Sequence, residues 1–513
     1  MTDTITIGIG ALSIDDVVNV ARHGAPVEIS PDSLAAMEAT RAHIDSLAEG
    51  PDPVYGVSTG FGALARKHIP QDKRTELQRS LIRSHAAGSG PEVEREVIRA
   101  LMLLRLSTLC TGRTGVRPLV ATTYAAMLNA GLTPVVHEYG SLGCSGDLAP
   151  LSHCALALMG EGQVRDSEGM LIDAAVALPA HHIAPVVLQE KEGLALINGT
   201  DGMLGMLCLA IHDLDRLART ADVAAAMTVE GLEGTLTVFA PDLQELRPHP
   251  GQAASAANIL AVAQGSEILD RAAERFAKHH VQDAYSLRCA PQVAGGFRDT
   301  LDHARRVAGV ELSSAIDNPV VALDGRVTSN GNFHGAPVGY VLDFLAIVSA
   351  DLASISERRT DRFLDAARNR GLTPFLAFDP GVDSGHMIAQ YTQAGIVSEM
   401  KRLAAPASVD SIPSSAMQED HVSMGWSAAR KLRRSVDGLA RVLAVEILTA
   451  ARAIDMRDHR PAPATAAVIT KLRETVPGPG PDRFLAPEIE HATQLVVSGD
   501  VVAVVETETG ALR

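Results

Sequence analysis

The sequence predicts an all-α protein built as a bundle of long helices, and three observations predict it. Alanine is abundant while aromatic residues make up only 3% of the chain, and small side chains let helices pack closely. Helix start and stop signals recur along the sequence. Two stretches also carry helical periodicity well beyond an ordinary length. From Pro337 to Gly371 the only interior glycine is Gly339. Within it Val338, Val341, Leu345, Val348, Leu352 and Ile355 alternate spacings of three and four, a heptad seam. At 1.5 Å per residue such a helix runs to roughly 50 Å. The second stretch runs from about Ser423 to Arg457, with Leu439, Val442, Leu443, Leu448 and Ala451 on one side. Helices of that length need partners along the whole seam, which indicates a bundle completed by other subunits.

The remaining elements follow in chain order. "SIDDVVNVARHG" reads as a helix capped by Ser13 and stopped by Gly24. "SPDSLAAMEATRAHIDSLAEG" has its cap at Ser30, Pro31 at the first helical position and Gly50 as terminator. A glycine-rich loop, "VYGVSTGFG", spans Val54 to Gly62. Strand-like runs are short and few, such as "DGRVTS" from Asp324. Loop-rich sequence gives way to long helices near Thr200, and "VPGPGPDRFLAP", Val476 to Pro487, is the clearest turn cluster. The expected organisation is therefore a loop-rich N-terminal part over residues 1–200, a long-helix bundle over 201–475 and a helical segment over 476–513.

Bulk properties narrow the function classes. Hydrophobic residues make up 46% of the chain, as in a globular protein. A net charge of −16 argues against nucleic acid and anionic membranes as partners. The N-terminus has no basic segment before an apolar one, and no uncharged apolar run reaches the ~20 residues of a spanning helix. Cys110, Cys144, Cys154, Cys208 and Cys289 are odd in number and scattered, the usage of a reducing cytoplasm. Neither CxxC nor HExxH occurs, so no metal site is expected.

One stretch demands a chemical account. "GSLGCSGDLAPLSH", Gly140 to His153, sets Cys144-Ser145-Gly146 directly behind Gly140 and Gly143. A plain reading is a turn capping a helix that starts near Asp147 or Pro150. A second is a nucleophilic Ser or Cys with His153 or His85 as base, but the elbow spacing and an acidic orienter are missing. A third uses the backbone. In a sharp bend the Gly146 nitrogen can attack the Cys144 carbonyl and close a five-membered ring, which favours a residue without Cβ. Loss of water from Ser145 then leaves an exocyclic methylidene, an electrophile that no ordinary side chain supplies.

That stretch resembles the self-modifying loop of the aromatic amino acid ammonia-lyases, which form 4-methylidene-imidazole-5-one (MIO) autocatalytically. "YGVSTGFG", "SHAAG", "EGLALINGT", "QDAYSLRCAPQV", "DNPVV", "SNGNFH", "SERR" and "QEDHVSM" stand in the family's order and approximate spacing, from about Val54 to Met424. The resemblance implies a fold of the fumarase and aspartase type and a homotetramer with active sites shared between chains. It also implies MIO made from Cys144, Ser145 and Gly146, with no dissociable cofactor. The first ring residue is usually Ala and is Cys144 here. Ring closure needs only its backbone, so the departure bears on the thiol's surroundings.

By resemblance, Arg288 binds the substrate carboxylate, for which its planar fork is suited. Tyr55 is the catalytic tyrosine on a glycine-flanked lid and Tyr285 a second active-site tyrosine. Asn198 hydrogen-bonds the electrophile or the amine, and Gln282 is a polar wall. Asp147 either orients the ring or caps the following helix. His85 and Glu419 resemble the histidine-selective branch; phenylalanine-selective relatives carry Gln at the latter position. A carboxylate unpaired against a phenyl ring is costly, whereas an imidazole N–H satisfies it. Phe333 packs against the substrate ring. The implied reaction is deamination of L-histidine to trans-urocanate and ammonia, the first step of histidine degradation. The rivals are a phenylalanine or tyrosine lyase or aminomutase using MIO, and a silent helical assembly protein, for which the intact triad would have no use.

Overall fold

The computed structural model describes residues 3–50, 59, 69–276 and 282–513, and it is all-α in character. Twenty α-helices and nine short strands lie among the described residues. The local signals act as expected. Ser13 closes a capping box on helix Ile14–Arg22: its hydroxyl accepts from the Asp16 N–H at 3.1 Å, and the Asp16 carboxylate accepts from the Ser13 N–H at 2.8 Å. Ser30 caps Pro31–Glu49, with proline in the first turn and Gly50 at the end. The turn cluster at 476–487 separates helix Pro463–Arg473 from helix Ala486–Ser498, apart from the first two residues of the latter.

By packing, the chain falls into two compact units, each gathered from three stretches. The first comprises Met1–His212, Ala304–Asp343 and Pro406–Arg430; the second comprises Asp213–His303, Phe344–Ala405 and Lys431–Arg513. The sequence reading placed its segments consecutively, at 1–200, 201–475 and 476–513. Reading along the chain cannot register that 304–343 and 406–430 return to pack with the N-terminal stretch. The divisions at 212/213, 303/304, 343/344 and 430/431 all fall inside helices.

The first unit is organised around helix Arg95–Cys110, in which every residue from Val97 to Cys110 is buried. A helix apolar nearly all round belongs in an interior, and helices Ile14–Arg22, Pro118–Asn129 and Leu148–Leu158 pack on it. Small sheets occupy this unit alone among the described residues. Ile5–Ile7 pairs in parallel with Val27–Ile29, and Ser89–Glu92 pairs antiparallel with His137–Tyr139. Thr133–Pro134, Gln163–Arg165 and Leu171–Asp173 form a three-stranded sheet. The strand read from "DGRVTS" is Val327–Thr328, paired antiparallel with Val320–Val321.

The second unit holds most of helix Gly425–Asp455, close to the expected Ser423–Arg457. Its stripe Leu439, Val442, Leu443, Leu448 and Ala451 is buried. A buried ion pair crosses this interior. Both carboxylate oxygens of Glu446 accept from the Arg359 guanidinium, with the Thr228 and Ser356 hydroxyls donating one bond to each oxygen. Such full satisfaction is what allows a buried charge to persist.

The first heptad stretch forms helix Ala336–Leu364, with Val338, Val341, Leu345 and Leu352 buried and Val348 and Ile355 half-buried. The helix stops seven residues before the expected end at Gly371. The Asp365 carboxylate takes the Ala367 N–H at 2.9 Å, and the Asn369 side-chain amide donates to the Phe363 carbonyl at 3.1 Å. Both are local bonds that compete with the helix ladder. By length and composition this helix could cross a membrane, but 61% of its most apolar window is buried inside the protein.

Candidate active site

The boxed stretch folds as a tight reversal entering helix Leu148–Leu158. Gly143, Ser145 and Gly146 all lie at positive φ, at 75°, 51° and 85°. The position of Gly146 admits no side chain: a Cβ there would meet the Gly199 carbonyl oxygen at 1.9 Å. The two segments run side by side as a parallel bridge, and the Asp147 N–H donates to the Gly199 carbonyl at 2.7 Å. Meanwhile the Gly146 N–H makes only a long 3.4 Å contact with the Gly143 carbonyl. A folded-back backbone, a lightly engaged nitrogen and a residue without Cβ are what ring closure through residues 144–146 requires, so these residues fit MIO.

Asp147 occupies the cap position, but its side chain does not cap the helix. One carboxylate oxygen accepts from Ser141 Oγ at 3.1 Å and the other from the Met203 N–H at 2.9 Å. Burial pushes this carboxyl up to about 7. The side chain therefore ties the loop to the start of helix Asp201–Gly231, which favours its positioning role.

A charged floor underlies the "LINGT" segment. Fully buried Arg105 donates to the carbonyls of Ala195 and Asn198, both at 2.9 Å, and to the Asp201 carboxylate at 2.7 Å. Lys191 and Asp317 form a second buried pair. The "DNPVV" motif thereby acquires a physical role, because Asp317 engages Lys191 while the Asn318 carbonyl accepts from Asn198 Nδ2 at 2.7 Å. The "SNGNFH" motif braces Asn318 in turn: its Oδ1 accepts from Ser329 Oγ and the Asn330 N–H, both at 3.0 Å. Sequence reading assigned no role to Arg105, Lys191 or Asp317. A charged residue inside an otherwise apolar helical run, as Arg105 is in "LMLLRLSTLC", was the available signal.

The same unit brings Glu419 and His85 to the boxed loop. Cys144 Sγ lies 3.2 Å from Ser414 Oγ, and Ser414 Oγ donates to Glu419 Oε2 at 3.2 Å. Glu419 is half-buried, and its charge acts on the His85 ring. His85 ends helix Arg74–His85 with Nδ1 at 2.9 Å from the Leu81 carbonyl, which sets the Nδ1–H tautomer and leaves Nε2 unprotonated. Burial lowers the pKa of this imidazole, keeping it neutral. Phe333 is half-buried in a turn just before helix Ala336–Leu364. Ser414 escaped sequence reading because it meets Cys144 across 270 positions. His153 Nε2 accepts from the Gly88 N–H at 3.0 Å, so it is not available as a base for Ser145.

Three further candidates lie in the second unit, on and beside the short helix Tyr285–Arg288. Tyr285 is exposed, and the Arg288 guanidinium sits 4.6 Å from its ring centroid. The buried Nε of Arg288 has no hydrogen-bond partner among the described residues. Gln282 is exposed. Tyr55 lies outside the described residues.

The chain is similar to known proteins over nearly its whole length. The sequence profile described as "aromatic amino acid lyase" matches residues 12–474. Histidine ammonia-lyase of Streptomyces avermitilis is 63% identical over 511 residues, covering 99% of both chains. Among solved structures, tyrosine aminomutase from Streptomyces globisporus matches with TM-score 0.94 at 37% identity, covering 99% of this chain and 100% of that one. Histidine ammonia-lyase from Trypanosoma cruzi matches with TM-score 0.91 at 38% identity, covering 99% and 96%.

Proposed function

The chain belongs to the aromatic amino acid lyase family and is a lyase, and we propose that its reaction is the elimination of ammonia from L-histidine to give trans-urocanate. One observation carries this reading above the others: a half-buried carboxylate, Glu419, is held at the Cys144-Ser145-Gly146 loop beside neutral His85.

The roles follow from the chemistry. MIO formed from Cys144, Ser145 and Gly146 supplies an electrophile that turns the amine into a leaving group. Arg288 receives the substrate carboxylate on its planar guanidinium. Glu419 accepts the imidazole N–H, and the unprotonated Nε2 of His85 offers a second polar contact. Tyr55 takes the β-proton, and Tyr285 is a second active-site tyrosine. Asn198, held by its bond to the Asn318 carbonyl, hydrogen-bonds the electrophile or the amine, the Asp147–Met203 bond holds the loop in place, and Gln282 and Phe333 form a polar and an apolar wall. Assembly is as a homotetramer with sites shared between chains, in the reducing cytoplasm, where five free thiols are stable.

The fold likeness to tyrosine aminomutase favours a second reading, in which tyrosine or phenylalanine is the substrate. That reading leaves Glu419 facing a ring without an N–H. Ultraviolet product formation from histidine, phenylalanine and tyrosine, measured side by side, separates the two. Turnover of histidine at least tenfold above the others is expected; preferred turnover of tyrosine or phenylalanine overturns the proposal.

Glu419→Gln is expected to lower kcat/KM for histidine by roughly 10- to 150-fold, the size of one charge-assisted hydrogen bond of ~1.5–3 kcal/mol. The thermal midpoint should move little, because the side chain is only half-buried. Unchanged histidine kinetics would remove Glu419 from substrate recognition.

A further inference from the structure

Cys144 stands where the resembling family usually carries alanine, and its thiol has a defined partner. The loop carrying that partner is closed on itself. Ser414 and Glu419 form an antiparallel bridge, with the Ser414 N–H donating to the Glu419 carbonyl at 2.9 Å and the Glu419 N–H to the Ser414 carbonyl at 3.3 Å. Ser415, Ala416 and Met417 turn between them at φ 51°, 51° and 69°. Residues paired across such a bridge project to one face, which puts the Ser414 hydroxyl 3.2 Å from Glu419 Oε2.

Ser414 has a single hydroxyl proton and two candidate acceptors, Glu419 Oε2 and Cys144 Sγ, each 3.2 Å away. The ionised carboxylate is the stronger acceptor and takes it. A lone pair of Ser414 is then left facing the sulfur, and the thiol S–H is the donor that fills it. This assignment needs a protonated thiol. Burial, supported by the Glu419 charge and by a direct interaction of the thiol with the Glu419 side chain, raises the Cys144 pKa and keeps the proton on sulfur, outweighing the opposing Ser414 bond. The result is a directed chain, thiol to hydroxyl to carboxylate, in which each bond polarises the next. Alanine at residue 144 would leave the hydroxyl with one anchor instead of two.

We propose that Cys144 is a positioning residue for substrate selection: through Ser414 it fixes the Glu419 carboxylate that reads the imidazole. The proposal rests on the assignment of Glu419 as the imidazole partner. Nothing in it requires the sulfur to react.

The test uses the full-length enzyme and L-histidine. Cys144→Ala is expected to form MIO normally, since only the backbone of residue 144 enters the ring. Its KM for histidine should rise about 3- to 10-fold, the size of one neutral hydrogen bond, with a smaller change in kcat. Cys144→Ser, which restores a donor, should recover KM to within about twofold. Ser414→Ala should raise KM at least as much, and adding Cys144→Ala to it should cost nothing further. Calorimetric binding of L-histidine to Ser145→Ala, with and without Cys144→Ala, repeats the comparison without turnover and decides the matter even if ring formation suffers. Unmoved histidine binding in Cys144→Ala, or losses that simply add to those of Ser414→Ala, would overturn the proposal alone. A parent enzyme that turns over no histidine overturns the Glu419 assignment and this proposal together.

Discussion

Ser145→Ala is expected to abolish turnover while leaving the fold intact. Ser145 supplies the hydroxyl whose loss as water creates the methylidene, and alanine has nothing to eliminate. The conformational cost is small, because serine already carries its Cβ at φ 51° and alanine keeps that Cβ in place. The expected fall in kcat exceeds the roughly 10²–10⁴-fold that a general base contributes, since the electrophile addresses the leaving group, the harder half of the elimination. Circular dichroism and the thermal midpoint should match the parent. A Ser145→Ala enzyme retaining more than about 1% of activity would remove the ring from the mechanism.

Tyr55→Phe is expected to lower kcat at least roughly 10²-fold, the lower end for general base catalysis, with a smaller change in KM. The substitution removes one oxygen and keeps the ring. If the Tyr55 phenol takes the β-proton, it must be largely deprotonated in the site, well below its ordinary value of about 10. MIO absorbance should persist in this variant, because ring closure and water loss consume only groups of residues 144–146. A near-normal kcat would move the base role elsewhere, with Tyr285 the first candidate.

Helix caps and the boxed loop were the most legible features of the sequence because their causes are local. Ser13, Ser30 and Gly50 act within a few residues, and so do the positive φ angles of Ser145 and Gly146. The end of helix Ala336–Leu364 was less legible, because no proline or glycine interrupts the run between Gly339 and Gly371, while Asp365 and Asn369 capture backbone groups earlier. Long-range pairings left little trace in the pattern. Asp147 reads equally as a ring-orienting residue or as a helix cap, and its carboxylate serves Ser141 and Met203. Asn198 reads as a ligand to the electrophile or amine, and its Nδ2 is bonded to the Asn318 carbonyl. Ser414 meets Cys144 only because 406–430 returns to the N-terminal stretch. Similarity of motifs supplied the candidates; distances and burial supplied the reasons why a carboxylate can stand at this loop.

The most direct test of the account is the mass of the peptide containing residues 144–146 from the purified enzyme. Closing the ring between the Gly146 nitrogen and the Cys144 carbonyl releases one water, and forming the methylidene from Ser145 releases a second. The account predicts a peptide two waters lighter than its sequence, and at most one water lighter in Ser145→Ala, which has no hydroxyl to eliminate. A fully active enzyme whose peptide carries the unmodified Cys-Ser-Gly mass would contradict it.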